Sequence, residues 1–172
     1  MAFSDKILIV IAKNNFRDEE FKIPYDALVK AGYDVVIGSS MLNTANGVLG
    51  TSIDPDILLV VARPEEYKAV IFIGGSGAQE YFNDKNAHRI AKEMYSDGKL
   101  VAAICVAPVI LANAGILEGK KATVQKSESH NLEFKGASYT GRSVQVDGNI
   151  ITADGPMSAQ EFTDEIIRKL EE

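Results

Sequence analysis

The 172-residue sequence predicts a single doubly wound α/β domain, a mainly parallel sheet sandwiched by helices. Two observations lead there. Apolar runs at residues 7–12, 33–37, 69–73 and 100–104 are continuous rather than alternating, which suits parallel strands covered on both faces. The segments between them have room for helices and carry helical periodicity. One domain spanning residues 1–172 is long enough to bury a real core, and no linker, repeat or low-complexity tract divides it.

The elements follow in order. After the first run comes a helix over 18–31, with Phe21, Tyr25, Leu28 and Val29 on one stripe and a stop at Gly32. Pro24 lies inside it and cannot donate to the Glu20 carbonyl, so a kink is expected there. Asn46-Gly47 before Val48-Leu49 suggests an added antiparallel piece. The run at 69–73 ends in Gly74-Gly75-Ser76-Gly77. A helix over 85–96 presents Ala87, Ile90, Ala91 and Met94 and stops at Gly98.

Residues 100–117 are almost wholly apolar and approach the length of a membrane span. Pro108, Asn113 and Gly115 interrupt them, so a buried strand and a buried helix fit better. Asp147-Gly148, between 143–146 and 149–152, is a type I′ hairpin signal. The last helix opens on a capping box, Ser158 to Glu161, and should bury Phe162, Ile166, Ile167 and Leu170.

Composition narrows the function classes. The chain is 46% hydrophobic and 24% charged, ordinary for a globular protein. A net charge of −6 without a Lys/Arg cluster argues against nucleic acid as a partner. A single cysteine allows no internal disulfide and fits a reducing compartment, the cytoplasm. The N-terminus runs straight into a strand pattern, so no signal peptide is expected, and with the 100–117 stretch interrupted no transmembrane helix and no membrane partner are expected either.

Cys105 stands where an apolar strand breaks into a helix. Such a turn strains its central residue and needs small neighbours two positions away, here Ala103 and Ala107. This nucleophile elbow would expose a thiol near a helix N-terminus and shift it toward thiolate. The alternative is a buried, inert cysteine serving as a small apolar residue. Glycines after the 69–73 strand would let backbone N–H groups approach a substrate oxygen, or else simply turn the chain into a helix.

Glu20 would raise its pKa beside a thiolate and donate a proton to sulfur, or else decorate a solvated helix start with Asp18 and Glu19. His88 belongs to a helix start at the surface. His130, in the polar stretch 125–135, is the one histidine able to pair with Cys105. No cluster has metal spacing, and neither a G-x-G-x-x-G nor a P-loop pattern occurs, so no metal and no cofactor are expected.

Several of these motifs together resemble the ThiJ/PfpI superfamily. They are Ala102-Ala103-Ile104-Cys105 with Ala107-Pro108, Leu111-Ala112 and Gly115; Gly74-Gly75 with Gly77-Ala78-Gln79; and Ala12-Lys13 with Glu20 and Pro24. Val146-Asp147-Gly148-Asn149 leading to Asp154-Gly155-Pro156 completes the set. The resemblance covers nearly the whole chain. It implies a flavodoxin-like sandwich, a homodimer, Cys105 as nucleophile and Glu20 as the protonated acid beside it. It further implies that Gly75 and Val106 supply oxyanion-hole N–H groups.

Departures from the family pattern shape the expected activity. The peptidase branch has histidine where this chain has Val106. The deglycase branch has histidine at Gln125, which could position a substrate oxygen, and arginine at Asp154. His130 and Asp154 are accessory candidates. The expected activity is cofactor-free thiol chemistry on small electrophilic carbonyls, of the glyoxalase or deglycase type. The alternatives are a redox-sensing stress protein in which an oxidant takes Cys105 to the sulfinate, and an oligomeric PfpI-type peptidase.

Overall fold

The computed structural model describes residues 4–172; residues 1–3, part of the stretch expected to enter a strand without a leader, lie outside them. In chain order the strands and helices are β1 (Lys6–Val10), β2 (Asn14–Phe16), α1 (Asp18–Lys30), β3 (Asp34–Ser39), β4 (Ala45–Gly47), β5 (Ser52–Ile53) and β6 (Ile57–Leu58). There follow β7 (Ala69–Phe72), α2 (Lys85–Ser96), β8 (Leu100–Ile104), α3 (Pro108–Asn113) and β9 (Lys121–Ala122). The chain ends with α4 (Ser129–Phe134), β10 (Ser138–Tyr139), β11 (Val144–Asp147), β12 (Ile150–Ala153) and α5 (Ala159–Leu170).

A seven-stranded sheet in the order β11-β12-β8-β7-β1-β3-β6 forms the centre, and only β11 runs antiparallel to its neighbour. The continuous apolar runs make it so: β7 and β8 are buried at every position. Helices α1 and α5 pack together over one face, while α2 and α3 cover the other. Burying side chains such as Leu8, Ile71 and Phe162 stabilises the sandwich by about 1.5–3 kcal/mol each. No described helix is long and apolar enough to cross a membrane.

From β1 the chain moves to β3 on one side, then returns to β7 on the other. That reversal opens a crevice beyond the carboxyl ends of β1 and β7, where ligands gather in open α/β sheets. Three glycines bring the walls of the crevice together. Gly75 sits at φ +97 with the Asn15 carbonyl oxygen 2.4 Å from where a Cβ would be. A Cβ on Gly77 would lie 1.7 Å from the Asn14 oxygen. Arg17 N–H donates to the Gly74 carbonyl at 2.9 Å, tying the two loops.

Local expectations need several corrections. Val29 is exposed and Ile167 half-buried, because α1 and α5 turn those positions toward the rim of their contact. The capping box does not form: Ser158 donates to Asp154 instead, and Glu161 accepts from Ser143. The hairpin near 147 turns through Gly148 and Asn149, since Asp147 already pairs with Ile150. Gly148 has φ +60 and Asn149 does not have positive φ, which is the type II′ pattern rather than I′.

Asn46-Gly47 belongs to β4, and the turn follows it, with Val48 and Leu49 exposed. Asp18 is buried rather than solvated; it accepts from the N–H groups of Leu49 (2.7 Å) and Thr51 (2.9 Å) and so anchors that turn. Helix α1 is unbroken through Pro24. The polar stretch holding His130 contains a short helix, α4.

The Gly77 contact sets a stability prediction. Gly77→Ala should lower the unfolding free energy by about 1–3 kcal/mol, because a methyl group cannot enter against the Asn14 carbonyl without moving the loop. Urea denaturation of the variant beside the parent measures it, and an unchanged midpoint would contradict the close approach.

Candidate functional site

Cys105 follows β8 directly, with φ +66; Asn15 is the only other non-glycine at positive φ among the described residues. Holding a side-chain-bearing residue there costs about 1–3 kcal/mol, which the surroundings must offset. Its N–H donates to Ala153 at 2.9 Å and its carbonyl accepts from Gln125 N–H at 2.8 Å. Ala103 and Ala107 are fully buried beside it, as a tight turn requires. Gly74 is the other requirement: a Cβ there would lie 2.5 Å from the Cys105 Cβ and 2.7 Å from Glu20 Oε1.

The thiol is less exposed than an elbow leads one to expect, at 6% for the whole residue. The 13–17 loop, the 74–77 loop and Gln125 close around it. Burial, with the charge of a Glu20 carboxylate second, pushes the Cys105 thiol up to about 12. This corrects the expected drift toward thiolate: the sulfur is largely buried and a carboxyl stands alongside. The backbone N–H groups of Gly75 and Val106 act in the opposite direction, favouring the ionised sulfur.

Glu20 is 0% exposed. Its Oε1 accepts from Gly74 N–H at 3.0 Å, while Oε2 has no hydrogen-bond partner. Burial raises the carboxyl to about 7, against the pull of the neighbouring sulfur and the Gly74 N–H. A partnerless buried oxygen beside a sulfur is best satisfied when it carries the proton itself. The thiol's own hydrogen points elsewhere, to Gln125 Oε1 at 3.0 Å, and Gln125 Nε2 donates to Ser127 Oγ at 3.0 Å.

Five of the sequence candidates therefore meet: Cys105, Glu20, Gly75, Val106 and Gln125. All except the buried Glu20 line a cleft of about 440 Å³ shared with Arg17, Val48, Ser76, Gln79, Ser127, Glu128 and Pro156. Two candidates do not join them. The His130 side chain is 96% exposed on α4, with Glu133 4.0 Å away. Asp154 follows β12 and accepts from Ser158 at 2.6 Å, outside the cleft lining. His88 lies on α2, its ring against the Phe82 carbonyl.

Sequence reasoning missed Arg17, Ser127 and Glu128. Arg17 could have been suspected from its place at the end of the β1 loop; its guanidinium is held by Glu19 through two hydrogen bonds, at 2.9 and 3.0 Å. Ser127 and Glu128 carried no signal beyond closeness to Gln125. The assembled group can hold a small electrophile against sulfur, supply N–H groups to an oxygen, and exchange a proton through Glu20 near neutral pH.

Known proteins give the same picture. The model of the DJ-1/PfpI family matches residues 5–169. An uncharacterized protein of Methanocaldococcus jannaschii is 40% identical over 96% of this chain and 82% of its own. A deglycase of Pyrococcus horikoshii is 33% identical over 96% of this chain and 99% of its own. Among solved structures, a ThiJ/PfpI domain protein from Brachyspira murdochii superposes with a TM-score of 0.96 at 32% identity, covering 99% of this chain and 98% of that one. The Drosophila melanogaster DJ-1beta structure gives 0.89 at 30% identity, covering 97% and 90%. Motifs, fold and relatives agree, and the chain belongs to the DJ-1/PfpI family.

Proposed function

We propose that this protein is a cofactor-free, cysteine-dependent enzyme acting on small reactive carbonyls, of the glyoxalase or deglycase type. One observation carries the reading: a strained cysteine faces a cleft with a protonatable carboxyl behind it and no histidine within reach among the described residues. Amide hydrolysis needs a proton donor for a poor leaving group, usually histidine. Addition of a thiol to an aldehyde expels nothing, so it needs only an ionisable sulfur and donors for the new oxygen.

With methylglyoxal, Cys105 sulfur bonds the aldehyde carbon while the carbonyl oxygen takes a proton, giving a hemithioacetal. Gly75 and Val106 N–H groups serve as the oxyanion hole. Glu20, near half-ionised at neutrality, moves a proton from the hemithioacetal carbon to its neighbour, which leaves a lactoyl thioester. Water then releases lactate and restores the thiol. A homodimer belongs to the same reading, supported by the exposed Val48, which lines the cleft, and the exposed Leu49 next to it in the chain. The lone free cysteine supports a reducing setting such as the cytoplasm.

Burial raises both groups, the carboxyl to about 7 and the thiol to about 12, so the carboxyl gives up the first proton. After the first loss, one negative charge is shared between two arrangements: carboxylate with thiol, or carboxylic acid with thiolate. The first is favoured, because burial raises the thiol well above the carboxyl; the second, the minor arrangement, is the nucleophile.

Two tests follow. Purified wild type should form lactate from methylglyoxal, and Cys105→Ala should lose at least about a hundredfold of that rate; equal rates in the two would end the reading. Stability should also depend on pH with a defined sign. The unfolded chain releases the Glu20 proton near 4.5 and the folded chain near 7, so the native state binds the extra proton between them. Stability should therefore fall by roughly 3 kcal/mol as pH rises across that window, and Glu20→Gln should flatten the slope. Urea titrations at pH 5, 6, 7 and 8 measure it, and a slope surviving in Glu20→Gln would assign it to another group.

A further inference from the structure

The side-chain amide of Gln125 lies between two groups with different needs. Its Oε1 accepts from Cys105 Sγ at 3.0 Å and its Nε2 donates to Ser127 Oγ at 3.0 Å. A thiol has a hydrogen to give; a thiolate has none and needs a donor. The amide offers an acceptor at one end and a donor at the other. The Ser127 hydroxyl both accepts and donates, so it can partner either end. Because the two contacts are equal in length, a half-turn about the Cγ–Cδ bond exchanges nitrogen and oxygen and leaves both at hydrogen-bonding distance. Gln125 is exposed, so the turn asks no repacking of its neighbours.

We infer that Gln125, steadied by Ser127, is a reversible amide switch that accepts the Cys105 hydrogen in the resting thiol and donates to sulfur once the thiolate forms. This deepens the thiol-addition reading and rests on it. The departing proton goes to the aldehyde oxygen during addition, or to water in the free protein; the sulfur lone pair becomes the new S–C bond. A hydrogen bond to a charged acceptor is about twice as strong as one between neutral groups, so the switch favours the thiolate on balance.

The other charges around the sulfur are already engaged. Glu20 approaches from α1 and exchanges its own proton. Arg17, at the start of α1, is held by Glu19. Glu128, in the turn after β9, accepts from Asn131, and Asp154, at the end of β12, accepts from Ser158. The Gln125 amide, in direct contact with the sulfur, can reverse its polarity by rotation. It thereby takes the place of a titrating base without titrating: it follows the sulfur's charge instead of changing its own. Gln125 and Ser127 are positioning residues in this scheme.

The test is the rate of Cys105 alkylation by iodoacetamide at pH 8, with the Gln125 side-chain amide signals followed by ¹⁵N NMR as pH is raised. Gln125→Leu should slow alkylation by about tenfold, the loss of one donor to a charged sulfur. Ser127→Ala should slow it less, and Ser127→Thr, which keeps the hydroxyl, should restore the parent rate. The amide signals of the parent should move in step with sulfur ionisation. A fixed acceptor would give the opposite sign, because removing it would free the thiol and speed alkylation. A Gln125→Leu rate at or above the parent, or amide signals that stay still while sulfur ionises, overturns the switch. Alkylation needs no turnover, so absent lactate formation beside an intact amide response would count against the enzymatic reading and leave the switch standing.

Discussion

The site depends on the missing side chain of Gly74. The carboxyl ends of β7 and β8 converge so closely that the Cβ of Cys105 occupies the space a Cβ at position 74 would need, with the Ile104 carbonyl oxygen 2.6 Å away and Glu20 Oε1 at 2.7 Å. Because that space is free, Gly74 N–H reaches the Glu20 carboxyl and its carbonyl reaches Arg17 N–H. The next residue then turns through φ +97 and aims its N–H at the sulfur. One small residue thus fixes the distance between acid, thiol and anion-binding backbone. The left-handed backbone at Cys105 is held from both sides, its N–H by the Ala153 carbonyl at the end of β12 and its carbonyl by Gln125 N–H.

The same closeness governs the charge. Two acidic groups buried side by side cannot both ionise without facing each other's field in a medium that screens poorly. Burial raises both, and the pair holds a single negative charge over a wide span above neutrality. Where that charge rests is decided by donors. Gly75 and Val106 N–H groups favour sulfur, while Gly74 N–H favours the carboxylate. A cysteine in water would ionise more readily, but as a solvated ion it would meet an aldehyde through a shell of water. Here the sulfur is preorganised and largely buried, at the cost of a lower ionised fraction.

Much of this was legible in the sequence, for reasons that differ by residue. Strands such as β7 and β8 declared themselves because full burial on both faces demands unbroken apolar runs. Cys105 stood out because a strand-to-helix turn needs Ala103 and Ala107 around it. Glu20 was legible through the family pattern and Pro24, but its burial was not: three acids in a row look the same whether solvated or not. Asp18 and Glu20 are buried while Glu19 pairs with Arg17, since a helix start places successive side chains on different faces. The two-residue strands β5, β6, β9 and β10 carry too few side chains for any period to show. The capping box failed because Asp154, four residues back, competes for the same serine hydroxyl.

The residues that depart from the family pattern bear most directly on chemistry. Histidine beside a catalytic thiol does two jobs: it removes the sulfur's proton and later gives a proton to a leaving group. At 106 this chain has valine, and at 125 glutamine, so neither position supplies the second job near neutral pH. A reaction confined to addition, proton shift and release by water does not need it, provided the first proton has somewhere to go. Glu20, raised to about 7, holds one proton at the back of the sulfur, and the aldehyde oxygen receives the other at the front. Under the proposed reading, a thiol without a neighbouring histidine therefore favours electrophiles that gain a proton as they bind over amides that must shed an amine.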